Sequence, residues 1–480
     1  MTSPVLPILS PNEKFQRAME IADIKSKYQN NTLKNEDFNA QAKLFLQKIQ
    51  DFLFADETKK RYRTAPSYFT RKKFFTFPNL AVLLLYQRAI SSSSRLSSFF
   101  EAGGFGLVPS FPTDSAFCQA RQKITPEFFK AWTDQTVNYI YHEENSLNLQ
   151  RWRGKLLWAV DGSDINLPVV DEIYAHCYIA RNSLEKTQVP QAKGSLLFDV
   201  LNHIIINCEL QDQNNEIQIA MNSQIPCLRS DVITIYDRGY VSYGLIAFHL
   251  MKGHDFIIRC PTSNSFKAID HFIQSSQRDM IFSIPKPTHT KNKEYPSDLP
   301  QKVTVRLIKF VLPSGETEIL MTSLLDSKLY PCEDFQWIYF QRWKVETVFD
   351  MLKNRLNLEH FSSEKWQGVL QDYYAAVFLY NFESILNRKT EEIIKRRGKK
   401  SNRLYSYKIN KANAYTMITK RLPVLFHLTF QSIDINLSQL HTFLLRNPIP
   451  ERPQRSFPRK KHKTTALSRY LKGRKRCYLT

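Results

Sequence analysis

Apolar positions recur at helical spacing through Phe15, Met19 and Ile24 and again through Phe38, Ala42, Leu46 and Ile49, which predicts helix over 10–56. A second helix is expected over 80–97, and Gly103, Gly104, Gly106 and Pro109 mark a loop after it. Pro112, Thr113 and Asp114 open a third helix over 115–124, with Thr113 or Asp114 as its N-cap. A short helix carrying Arg121 and Lys123 after a helix and a loop fits a helix-turn-helix, and fits plain helical packing equally well. Near residue 153 the period changes. Short apolar runs at 155–160, 196–201, 204–210, 232–236 and 256–259 read as strands, the middle pair turning near Asn202 and His203. Helices at 215–221 and 242–252 fall between them, so this stretch is a mixed α/β layer. Pro285, Pro287, Pro296 and Pro300 break any helix over 261–325, while 303–310 and 318–323 read as strands, which predicts a β-rich insertion. From 334 to 386 the pattern is helical, 395–400 reads as a basic linker, 412–440 as helix and 452–480 as a basic tail. The expected divisions are 1–150 (helical), 151–260, 261–330 (β-rich), 331–387 and 388–480 (helical and basic).

Three places in this pattern carry candidate chemistry. Asp161 and Asp237 each follow an apolar strand, where α/β proteins place reactive groups, although an Asp there can equally form a turn. The third is a helix expected over 335–358, in which Tyr339, Arg342, Glu346 and Lys353 share an arc of about 60° at about 100° per residue. Ile338, Val345, Phe349, Leu352 and Leu356 form the neighbouring apolar stripe. Two Asp and one Glu suit hard, octahedral Mg²⁺, two ions of which about 3.5–4 Å apart support displacement at phosphorus. No His or Cys cluster suggests zinc. Arg342 and Lys353 would grip phosphates, and Tyr339 would hydrogen-bond a phosphate or stack on a base. Trp337 and Trp343 are expected to pack in the core or on the surface, with insertion in place of a flipped base as the alternative.

Charge narrows the partner. The chain has 480 residues, 42% of them hydrophobic, enough for a sizeable core. Lys and Arg number 67 against 45 Asp and Glu, a net charge of +22 that favours a polyanion. No apolar run reaches bilayer length and the N-terminus does not read as a signal peptide, so nucleic acid is expected and a membrane is not. The seven cysteines form no CxxC pair and read as reduced thiols of a cytosolic protein. The surplus is uneven: residues 388–480 hold 24 basic and four acidic residues, and 452–480 hold 11 basic and none acidic. Within 59–73 lie seven basic residues and no acid, interleaved with Tyr62, Tyr68 and Phe69, which suggests a second phosphate-contacting stretch.

The spacing Tyr339, Arg342, Glu346, Lys353 matches the YREK signature of DDE transposases of the insertion-sequence-four type, which the chain resembles over about 70–390. Asp161 in Trp158-Ala-Val-Asp-Gly-Ser163 is similar to that family's first acidic motif, and Asp237-Arg-Gly-Tyr240 to its second. Pro78-Asn79-Leu80, Ser115-Ala116-Phe117 and Gln119-Ala120-Arg121 are similar to its N-terminal phrases. The resemblance implies an RNase H-like catalytic core with a β-rich insertion between Asp237 and Glu346. It implies Asp161, Asp237 and Glu346 as catalytic metal ligands for Mg²⁺, with Mn²⁺ able to substitute. Tyr339, Arg342, Lys353 and, less centrally, Arg238 would then bind DNA. It further implies a homodimer on double-stranded DNA, cut-and-paste strand transfer with possible hairpin ends, and a place in the bacterial cytoplasm, on the nucleoid when bound. A stand-alone nuclease or recombinase of the same fold, or a non-catalytic DNA-binding repressor, stays open at this point.

Overall fold

The computed structural model describes residues 36–71, 74–86, 91–103, 112–142, 149–179, 189–213, 215–262, 266–287, 298–312, 315–400, 404–429 and 431–452. The helix expected over 10–35, most of the Gly-Pro loop after 103, Lys72, Lys73 and the tail from 453 lie outside these residues.

The centre is a mixed sheet built from β1 (Leu156–Asn166), β2 (Tyr178–Ile179), β3 (Pro190–Asp199), β4 (Ile204–Gln211), β5 (Val232–Tyr236), β6 (Asp255–Cys260), β7 (Asp279–Pro285), β8 (Lys302–Val311) and β9 (Thr317–Thr322). Its order is β2-β3-β1-β5-β6-β9-β8-β7, with β4 also paired to β3. β3 runs antiparallel to both of its neighbours, β1 and β4, while β5 and β6 run parallel to β1. That strand pattern is the expected RNase H-like core. Parallel strands covered on both faces need continuous apolar runs, which Leu156–Val160 and Val232–Tyr236 supply with every side chain buried.

The β-rich segment does not stand apart from this core. β9 pairs antiparallel with β6, and β8 and β7 follow, so the insertion lengthens the same sheet. On one face the helix Trp366–Leu386 lies against Glu127–Tyr141 and β4, with Trp132 stacked on Phe378 at 4.0 Å between centroids. The Trp366–Leu386 helix is buried almost all round, including its polar residues Gln371, Asp372, Asn381 and Glu383.

Several element boundaries differ from expectation for local reasons. The helix expected over 80–97 is two helices, Phe77–Leu85 and Ser92–Ala102, because Thr76 and Ser91 each cap a new N-terminus. The expected basic linker is part of a helix, Arg388–Lys400, in which Glu391–Lys395 and Glu392–Arg396 pair at i,i+4. The 412–440 stretch is split into Lys411–Leu425 and Ile433–Arg446 after His427, which takes φ +51°. Over 215–221 the α-helix is one turn, Glu216–Ile219, continued by the π-turn Ala220–Gln224. Arg121 is buried, not presented on a recognition surface: it bonds Asp372 at 3.1 Å, Gln371 at 3.0 Å and the Gly368 carbonyl at 3.0 Å, tying the N-terminal helices to Trp366–Leu386. Within the 59–73 stretch, Tyr62 is likewise core, and Phe69 packs edge-on against Phe77.

Candidate active site

Asp161 lies inside β1 and not beyond its end, because β3 continues to pair with β1 as far as Asn166. Pairing with β5 stops at Ala159–Ile235, so from Asp161 onward that edge of β1 is open. Extending the same register sets Asp161 beside Asp237, the residue that follows β5. Glu346 comes from across the site, in the first turn of helix Lys344–Asn354, which packs on β1.

The helix expected over 335–358 is Asp334–Phe340, a 3₁₀ turn Gln341–Trp343, and Lys344–Asn354. The tighter turn leaves the four spaced polar residues facing the strands. Tyr339 OH donates to Asp237 Oδ1 at 2.9 Å. Arg342 Nη1 donates to Asp161 Oδ2 at 3.1 Å, and its Nη2 to Glu346 Oε1 at 3.3 Å, with Asp237 Oδ2 at 4.0 Å. Lys353 Nζ donates to Ser163 Oγ at 2.9 Å and to the Asp164 carbonyl at 2.6 Å. The stripe Ile338, Val345, Phe349, Leu352 and Leu356 is buried, which fixes the rotation of the helix. Arg238 is exposed next to Asp237 and has no ion-pair partner among the described residues. Trp337 and Trp343 do not pack into the core: they are 49% and 43% exposed, with Phe340 between them at 68%.

The environments of the two aspartates differ. Burial pushes the Asp161 carboxyl up from 3.8 to about 6, and Arg342 and the Gly162 N–H only partly oppose it. Burial also pushes Asp237 up, but the Arg238 N–H, Arg342, Tyr339 and Arg259 together hold it below its ordinary value. Burial disfavours the Arg342 cation, yet Tyr339, Asp161 and Asp237 more than offset that, so it stays charged.

Four contributors, Arg259, Glu318, Lys193 and Glu216, were not singled out from sequence. Arg259 on β6 approaches Asp237 Oδ1 at 3.9 Å and is anchored at 2.7 Å by Glu318, a buried carboxylate on β9. Lys193 on β3, directly across from Asp164 of β1, is buried and pairs with Asp164 at 2.5 Å and Glu216 at 3.0 Å. Glu216 in turn backs Gly162: a β-carbon there would stand 2.6 Å from Glu216 Oε1. The available signal was a charge inside an otherwise apolar run, as in Phe256-Ile-Ile-Arg259 and Ala192-Lys193-Gly194.

Residues 152–382 match the family model described as the transposase DDE domain. This segment is a transposase DDE domain. It contains Asp161, Asp237, Glu346 and all four spaced helix residues. The chain is 23% identical over 273 residues to the transposase InsG for insertion sequence element IS4 of Escherichia coli (strain K12). That match covers 56% of this chain and 60% of the relative, so the chain spans less than two thirds of it. A solved structure of the piggyBac transposase synaptic complex with hairpin DNA aligns over 86% of this chain and 88% of that one, at 12% identity and a TM-score of 0.44. No helix among the described residues is long and apolar enough to cross a membrane.

Asp161, Asp237 and Glu346 are all carboxylates, the donor type that suits a hard divalent cation. Among the described residues no three Asp, Glu, His or Cys side chains stand close enough to hold a single ion. The place between the three carboxylates is taken by the guanidinium of Arg342.

Proposed function

We propose that this chain is a DNA transposase that binds the inverted-repeat ends of its insertion sequence and catalyses metal-dependent cleavage and strand transfer. The observation that carries the reading is the meeting of Asp161, Asp237 and Glu346, from two parallel strands and a distant helix, around the guanidinium of Arg342. Carboxylates gathered at the open edge of a sheet suit phosphoryl transfer, in which catalysis is mainly positioning and charge stabilisation. Asp161, Asp237 and Glu346 would hold Mg²⁺, with Mn²⁺ able to substitute. When bound, two such ions would activate the attacking oxygen and stabilise the leaving one. Lys353 and Arg342 orient the scissile strand through its phosphates, and Tyr339 offers a phenol for a phosphate oxygen or a ring for a base. Arg238 adds an exposed charge at the same edge. The partner is double-stranded DNA, first the transposon ends and then the target, bound by a homodimer. Its place is the bacterial cytoplasm, on the nucleoid when engaged. The test is cleavage of a duplex made from the DNA flanking the gene. With Mg²⁺ the protein should cut it, and Glu346→Gln should bind it equally well and leave it uncut. Equal cleavage by the variant would refute the assignment.

A further inference from the structure

The side chain of Arg342 is 3% exposed, and its guanidinium carbon lies 5.7 Å from the Tyr339 ring centroid and 5.2 Å from that of Trp343. One guanidinium reaches three carboxylates from three different chain segments, at 3.1, 3.3 and 4.0 Å. Its Nε is buried without a hydrogen-bond partner, so this placement leaves that donor unused. The three acids are thus arranged around a positive charge that the chain itself supplies.

A metal ion held by all three carboxylates would need the place that this guanidinium fills. A divalent ion entering the site would meet like charge and find its ligands already donated to. A backbone phosphate offers Arg342 a different partner, one that matches its planar fork and can also take up the Nε hydrogen. We propose that Arg342 is the site's internal counter-cation, competing with metal until DNA phosphate draws the guanidinium away, so that metal and DNA bind cooperatively. The proposal rests on the active-site assignment above and adds an order to it: without DNA the acids are held together but closed to metal. Coupling of this kind is reciprocal, so metal should tighten DNA binding by the same factor that DNA tightens metal binding.

The experiment is a Mn²⁺ titration of the full chain, following free Mn²⁺ by electron paramagnetic resonance, without DNA and with a duplex made from the DNA flanking the gene. Without DNA, Arg342→Ala should bind Mn²⁺ roughly five-fold or more tightly than the wild type, the low end of typical coupling. Arg342→Lys, which keeps the charge, should stay near the wild type. Adding the duplex should tighten Mn²⁺ binding to the wild type and leave Arg342→Ala little changed. If the alanine variant fails to fold, Arg342→Gln serves the same comparison. Unchanged or weaker Mn²⁺ binding by the neutral variants would overturn the competition, as would a full DNA response without the arginine. Asp161→Asn separates the two levels. It should weaken Mn²⁺ binding in every background, and Mn²⁺ binding indifferent to Asp161 would overturn the active-site assignment itself, and the competition with it.

Discussion

Replacing Asp161 by Asn should stabilise the metal-free protein at neutral pH, although it removes one partner of an ion pair. Two effects compete at this carboxylate. Burial disfavours its charge, and Arg342 at 3.1 Å favours it; burial wins, leaving the carboxyl at about 6 instead of 3.8. A folded-state value above the unfolded one means that the folded protein binds more protons between those limits, so stability falls as pH rises through this window. At about 1.4 kcal/mol per unit, the charged form costs the folded state about 3 kcal/mol at pH 7. The 16% of the side chain still in contact with water makes that a ceiling. Asn is neutral and nearly isosteric, so it mimics the protonated acid. Thermal melts in chelator at pH 4 to 8 should show the variant melting several degrees higher at pH 7.5, with the gap closing towards pH 4. A wild type that melts above Asp161→Asn at neutral pH would refute the reasoning, since the Arg342 ion pair would then outweigh the cost of burial.

Arg121→Ala should cost about 3–5 kcal/mol, because it strands Asp372 as a buried, uncompensated charge. Melts of the variant are the check, and a loss below about 1 kcal/mol would contradict a structural role of that size. Deleting 452–480, with its 11 basic and no acidic residues, should weaken DNA binding and flatten its dependence on salt, by about 0.9 in logarithmic slope for each phosphate that the tail had neutralised. A salt titration of binding that is unchanged by the deletion would show that the tail grips no phosphate.

The face of the helical acid-bearing region was legible because it is local. The residues at 339, 342, 346 and 353 needed only the period of a helix to be placed together, and a single 3₁₀ turn at 341–343 did not rotate them away. Asp161 and Asp237 were legible for a similar reason, since apolar runs announce buried strands and polarity begins where a neighbouring strand stops. What the sequence could not show depends on pairing between distant segments. Nothing in 302–322 says that β9 will join β6 and deliver Glu318 to Arg259. Nor does a lone Lys193 reveal which two carboxylates will surround it. For Arg121 the sequence left two readings level, a helix-turn-helix contact and plain helical packing, because the partners that decide for packing lie some 250 positions away. For Trp337 and Trp343 the sequence left core packing, surface packing and base insertion open, and their exposure removes the first, since the apolar stripe of the same helix already covers the core.

Strand transfer is the most direct test of the proposed chemistry. A pre-cut end bearing a free 3′-OH, incubated with supercoiled plasmid, Mg²⁺ and the full chain, should yield a covalently joined product. Glu346→Gln should yield none while still binding the end. Joining that survives the substitution would remove Glu346 from the reaction, and a wild type that cuts DNA but never joins it would make the protein a nuclease instead of a transposase.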